Sequence, residues 1–145
     1  MMNNENKPLF FLVDDDSLFL KSLEINFVQN TESSIKTFAT GELCLKNISQ
    51  NPAIIILDYF LNSVDINAIN GIETLDRIKS ANPLIPVIIL SSQDKIEVAV
   101  DCMKHRAFDY VVKSETAFFR LQKIISTIFQ IHKTEKILNW YMEKM

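Results

Sequence analysis

The chain has 145 residues, 48% of them hydrophobic and 23% charged, with a formal net charge of -3. That length and balance suit one ordinary domain able to bury its own core, and the acidic surplus gives no electrostatic reason to expect direct nucleic-acid binding. No stretch approaches the roughly 20 apolar residues of a membrane span, and the five apolar residues after Pro8 are too few for a signal-peptide core.

In chain order, residues 1–7 are polar and Asn-rich and are expected to form a disordered N-terminal segment. The main domain is expected over 8–131, followed by a helical extension of the last helix over 132–145. Leu9 to Val13 reads as a buried strand that stops at Asp14, Asp15 and Asp16. Three adjacent carboxylates repel one another unless something compensates them. Asp16 has a simple use, since it precedes Ser17, Leu18, Phe19, Leu20 and Leu23, a helical pattern whose amino end it can cap. Asp14 and Asp15 have no such use.

Ser34 to Thr40 reads as a second, more polar strand at a sheet edge, and Gly41 to Ser49 as a short helix. Ile54 to Leu57 is a run of four large apolar residues without polar alternation, the pattern of a central parallel strand covered on both faces. It ends in Asp58, which taken alone is as consistent with a loop start or a helix cap as with chemistry. The connection over 59–70 is long, and Asn70-Gly71 supplies turn chemistry before Ile72, Leu75 and Ile78 recur at helical spacing. Val87 to Leu90 reads as a fourth buried strand stopping at Ser91 and Ser92. A helix from about Lys95 to Arg106 follows, then a fifth strand at Tyr110 to Val112 that ends at Lys113. Glu115 to about Ile131 forms a last amphipathic helix. Five strands alternating with five helices predict an α/β fold, a doubly wound parallel sheet. Cys44 and Cys102 have neither metal-ligand nor redox spacing, and are expected to be buried, reduced thiols of a cytosolic protein.

Each strand that reads as interior ends in a different polar chemistry: Asp14 and Asp15, then Asp58, then Ser91, then Lys113. A doubly wound sheet gathers these carboxyl ends at one rim, where ligands bind. Three negative charges and one positive charge there would be balanced by a divalent cation, for which magnesium is the natural candidate. A carboxylate can also act as a nucleophile towards phosphorus, with a metal, a lysine and a hydroxyl supplying charge and position.

With these residues assembled, the chain resembles the receiver domain of bacterial two-component response regulators, through FFLVDDD, IIILD, NGIETL, VIILSS and DYVVK in that order. The separations agree too: 43 residues from Asp15 to Asp58 and 22 from Ser91 to Lys113. The resemblance implies the flavodoxin-like strand order 2-1-3-4-5. It implies that Asp58 accepts a phosphoryl group from a histidine kinase or phosphotransfer protein. Mg2+ would be held by Asp14, Asp15, Asp58 and the backbone carbonyl of Phe60. Lys113 would pair with the phosphoryl oxygens, and Ser91 would donate its hydroxyl to them. Tyr110 would turn inward and switch the face made by the fourth helix, fifth strand and fifth helix towards a downstream effector or output domain. Phe60, Ser92 and Gln93 would flank the site. The resemblance implies a signalling domain that catalyses only its own phosphorylation and dephosphorylation.

The sequence departs from that pattern in several places. Gly71 lies 13 positions after Asp58, and Ser63 to Ile69 replaces an expected proline-containing turn. Ser114 stands where a cis proline is usual, and Arg106 where glycine is common. Leu121, Ile124, Ile128, Ile131, Leu138, Met142 and Met145 approximate an apolar stripe broken at Glu135, which suits a homodimer seam, a linker or a helix packed on its own sheet. Two other readings stay open. One is a binding module of this fold that signals without phosphorylation. The other is a phosphohydrolase of the haloacid-dehalogenase type, suggested by Asp14-x-Asp16, with Asp14 as nucleophile and Asp16 as acid.

Overall fold

A computed structural model describes residues 7–145, so the disorder expected for 1–7 lies, Lys7 apart, outside the described residues. The elements follow in the order β1 (Leu9–Val13), α1 (Ser17–Asn30), β2 (Ser34–Phe38), α2 (Gly41–Lys46), a 3-10 turn (Ile48–Gln50) and β3 (Ile54–Asp58). After these come α3 (Gly71–Ala81), β4 (Val87–Ser91), α4 (Ile96–Lys104), β5 (Asp109–Val112) and α5 (Ala117–Lys144). The five strands form one sheet in the order β2-β1-β3-β4-β5, every pair parallel, which is the expected flavodoxin-like order.

The pleat sorts the side chains. Phe10, Leu12, Ile54, Ile56, Ile88, Leu90 and Val111 face α1 and α5, where they meet Leu23, Phe27, Leu121, Ile125 and Ile128. Their neighbours Phe11, Val13, Ile55, Leu57, Val87 and Ile89 face the other layer, where Cys44, Leu75, Ile78 and Cys102 pack. Because helices cover both faces, every residue of β3 and β4 is buried, which is why neither strand shows polar alternation. Cys44 and Cys102 are free and buried, and burial pushes their thiols up to about 12 and about 11.

The element ends differ from the sequence expectation where caps intervene. Strand β2 stops at Phe38, and Thr40 becomes the cap of α2, its Oγ1 accepting the Leu43 amide. Helix α2 ends at Lys46, and the chain tightens into the 3-10 turn instead of continuing. Helix α4 ends at Lys104, because Arg106 takes a left-handed conformation with φ 71. There the Arg106 and Ala107 amides donate back to Met103 O and Cys102 O at 3.1 Å each, closing the helix end. Helix α5 is one continuous element of 28 residues, and from 131 onward all of its residues are exposed. The Lys113–Ser114 bond is trans.

Candidate functional site

The strand register sets the site. Val13 pairs with Leu57, and Asp58 with Leu90, so Asp14, Asp58 and Ser91 stand together at the carboxyl rim of the three central strands. Ser91 pairs in turn with Val112, which delivers Lys113 to the same rim. The pleat then separates them. Asp14, Asp58 and Lys113 continue the rows that face α1 and α5, whereas Ser91 and Tyr110 continue the rows that face α4.

Lys113 Nζ lies 2.8 Å from Asp14 Oδ2 and 3.4 Å from Asp58 Oδ1, with all three side chains largely withdrawn from solvent. Asp14 Oδ1 accepts the Asp16 amide at 2.9 Å, whereas Asp14 Oδ2 is buried and met by charge alone, with no donor in hydrogen-bond geometry. Burial pushes the Asp58 carboxyl up to about 8; the neighbouring Asp14 charge adds to the rise, and Lys113 opposes it. Burial works to lower the Lys113 ammonium, but Asp14 and Asp58 together outweigh it and its pKa is raised.

Asp15, at the same rim, also reaches the long connection. Its Oδ2 accepts two backbone amides of the long connection, from Ser63 at 2.9 Å and Val64 at 3.2 Å. Asp16 caps α1, accepting from the amides of Leu18 and Phe19 at 3.1 and 3.2 Å. The acid of the phosphohydrolase reading is therefore engaged as an exposed helix cap.

One carboxylate oxygen each of Asp14, Asp15 and Asp58 lies within 4.8 Å of the others, among the described residues. An all-oxygen cluster of three carboxylates, one oxygen of it buried without a donor and faced by a single ammonium, fits a hard dication such as magnesium. The cluster opens into a cleft of about 740 Å³ whose walls include Asp58, Phe60, Ser92, Gln93 and Lys113, together with Leu18 and the Ser63–Val64 segment. Ser91 is fully buried just below, its Oγ accepting the Gln93 amide at 3.0 Å. Tyr110 is half-buried and its hydroxyl donates to the Gln93 carbonyl, tying β5 to the loop after β4.

The close approach of the long connection explains Gly71. A Cβ at Gly71 would lie 2.5 Å from the Asp58 carbonyl oxygen and 2.6 Å from that of Tyr59, both immovable backbone atoms. Two participants escape a sequence reading. Leu18 and Phe19 look like ordinary members of a helical apolar pattern, yet Leu18 is 84% exposed at the cleft and the Phe19 ring lies under the Lys113 ammonium, 4.5 Å from Nζ to centroid.

The parallel sheet in the order β2-β1-β3-β4-β5, with acidic residues at its carboxyl rim, is the architecture of a receiver domain. The profile of the response regulator receiver domain matches residues 10–126, and the chain belongs to that family. It is 36% identical over 103 residues to a putative NtrX-like response regulator of Rickettsia typhi, covering 70% of this chain and 21% of that protein. It is 40% identical over 112 residues to the transcriptional regulatory protein ZraR of Escherichia coli K12, covering 77% of this chain and 24% of that one. The chain thus spans about a fifth to a quarter of these relatives. The receiver domain of a putative Luxo repressor protein from Vibrio parahaemolyticus superposes with a TM-score of 0.75 at 26% identity, covering 91% of this chain and 97% of that one. No helix among the described residues is long and apolar enough to cross a membrane.

Proposed function

We propose that Asp58 accepts a phosphoryl group from the phosphohistidine of a histidine kinase or phosphotransfer protein, in a magnesium-dependent reaction. The observation that carries this reading is the convergence of Asp14, Asp15 and Asp58 on one rim with Lys113 beside them. In the transfer an Asp58 oxygen forms the new O–P bond while the N–P bond breaks and the imidazole nitrogen keeps the electron pair.

Asp14, Asp15, Asp58 and the Phe60 carbonyl would hold Mg2+, which would supply charge neutralisation at the rim. Lys113 meets the developing negative charge as a compact ammonium, already drawn to the site by Asp14. Ser91 offers its hydroxyl from below the rim, and Phe60, Ser92 and Gln93 line the path of the incoming group. The chain works as a signalling domain, catalysing only its own phosphorylation and loss of phosphate.

The switch is read at the β5 edge of the sheet. When Ser91 turns to the phosphoryl group it releases the Gln93 amide, and the Tyr110 hydroxyl, bonded to the Gln93 carbonyl, follows that loop. The surface of α4, β5 and α5 then presents a changed face to a downstream effector or an output domain. The exposed stripe of α5 over 131–145 is available to a second copy of the chain. A cytoplasmic setting follows from a kinase partner of this kind.

The test is intact-mass measurement after incubation with acetyl phosphate and Mg2+. Wild type should gain one phosphoryl group, and Asp58→Asn should gain none. Labelling that persists in Asp58→Asn, or that ignores chelation of the metal, sinks the reading.

A further inference from the structure

We propose that Phe19 is a positioning residue: its ring face holds the Lys113 ammonium over the cleft, so that the cation is in place when a phosphoryl group arrives. The inference rests on the role given to Lys113 above.

Phe19 is fixed from both ends. Its backbone amide donates to the Asp16 carboxylate at 3.2 Å within the cap of α1, and its half-buried ring packs against the cluster of Phe10, Leu12 and Phe27. The pleat places Lys113 on this same side of the sheet. The Lys113 amide donates to Ser91 O at 2.8 Å, which anchors the backbone, but the four-carbon stem leaves the ammonium free to range. Three contacts limit it: Asp14 at 2.8 Å, Asp58 at 3.4 Å and the Phe19 ring at 4.5 Å.

These contacts do not survive phosphorylation equally. Phosphorylation turns the Asp58 carboxylate into an acyl phosphate, and a dication beside Asp14 would offset the charge of that carboxylate. The ring takes no part in that exchange. An aromatic face attracts an ammonium through its quadrupole without using up an N–H donor, so the donors stay available to phosphoryl oxygens. A leucine would fill similar space and offer no such face.

The test uses the whole chain with beryllofluoride, a stable mimic of a phosphoryl group, and Mg2+. Phe19→Leu should weaken beryllofluoride binding roughly three- to tenfold, the cost of leaving one long side chain unrestrained. Phe19→Tyr should stay within about twofold of wild type, because the ring is kept. In NMR spectra, the Lys113 ε-methylene protons of wild type and Phe19→Tyr should be shifted by the ring current, and the shift should vanish in Phe19→Leu. A merely structural role for Phe19 would not produce that pattern. Phe19→Met, a second volume-conserving change, should behave as Phe19→Leu does if the latter folds poorly. If both volume-conserving variants bind as wild type does while Lys113→Ala loses binding, the inference about Phe19 is overturned and the site reading stands. If Lys113→Ala itself binds unchanged, the role of Lys113 falls and takes this inference with it.

Discussion

The Asp15 carboxylate accepts the backbone amide of Ser63 at 2.9 Å, a contact between residues 48 apart in sequence. The same oxygen takes the Val64 amide at 3.2 Å, and at the other end of the connection Glu42 Oε2 takes the Ile69 amide at 3.3 Å. Gly71 N donates to Tyr59 O at 3.1 Å, so the ends of the segment are brought together in the manner of an Ω-loop. One acid of the rim cluster is thus also the latch of the loop beside it.

Removing the latch should loosen the loop and leave the sheet alone. Hydrogen bonds to a charged acceptor contribute about 1.5–3 kcal/mol, so Asp15→Ala should speed amide exchange at Ser63 and Val64 by roughly ten- to a hundredfold. Exchange in β3 should be unchanged. Equal protection at Ser63 and Val64 in both proteins would show that the loop is held by other contacts.

The raised pKa of Asp58 sets a pH dependence for the protein kept with a chelator. Its folded value of about 8 lies above the ordinary 3.8, so between these limits the folded state binds the proton and the unfolded state does not. The contribution to stability is full below about pH 4 and is lost as pH rises through 8. Asp58→Asn cannot ionise, so its unfolding free energy should exceed that of wild type by about 2 kcal/mol or more above pH 8. The difference should shrink towards pH 4, and urea unfolding at a series of pH values measures it. A wild-type profile as flat as that of the variant would contradict the assignment.

Gly71 has no room for a side chain. It sits so close to the Asp58 and Tyr59 carbonyls that a methyl group would overlap rigid backbone, so Gly71→Ala should destabilise by about 1–3 kcal/mol. The damage should reach Asp58, seen as slower labelling by acetyl phosphate. Unchanged stability together with unchanged labelling would mean that α3 shifts freely to make room.

Arg106 offers the opposite case. It holds φ 71 at the end of α4, a conformation that disfavours any residue with a Cβ, and its exposed side chain enters no ion pair among the described residues. Arg106→Gly should raise stability by about 1 kcal/mol, read as a higher denaturant midpoint with the same slope. A lower midpoint would mean that the arginine stem contributes more packing than its backbone costs.

The strands are plain in the sequence because each interior one is buried on both faces and closes on a polar residue, as at Leu57–Asp58 and Leu90–Ser91. Asp16 and Asn70 announce helix starts for a local reason: their side chains bond amides two or three positions on. Contacts between distant segments leave no such trace. Asp16 reads as a cap, but nothing in the run of three aspartates shows that Asp15 holds two amides of a distant loop, and an aromatic at helical spacing reads as core whether or not an ammonium rests on it. Arg106 hides its turn because the residue type argues against the conformation that the helix end imposes.

Helix α5 continues well past the body that supports its first half. Leu121, Ile125 and Ile128 seat it against the sheet, and from Ile131 to Lys144 the helix runs on exposed as about 21 Å of rod. Such a rod is a lever whose fulcrum lies near Ile128. A rocking of about 10° there sweeps the tip by nearly 4 Å, so a displacement too small to disturb the packed core is delivered at the far end as a shift of about one atom's diameter.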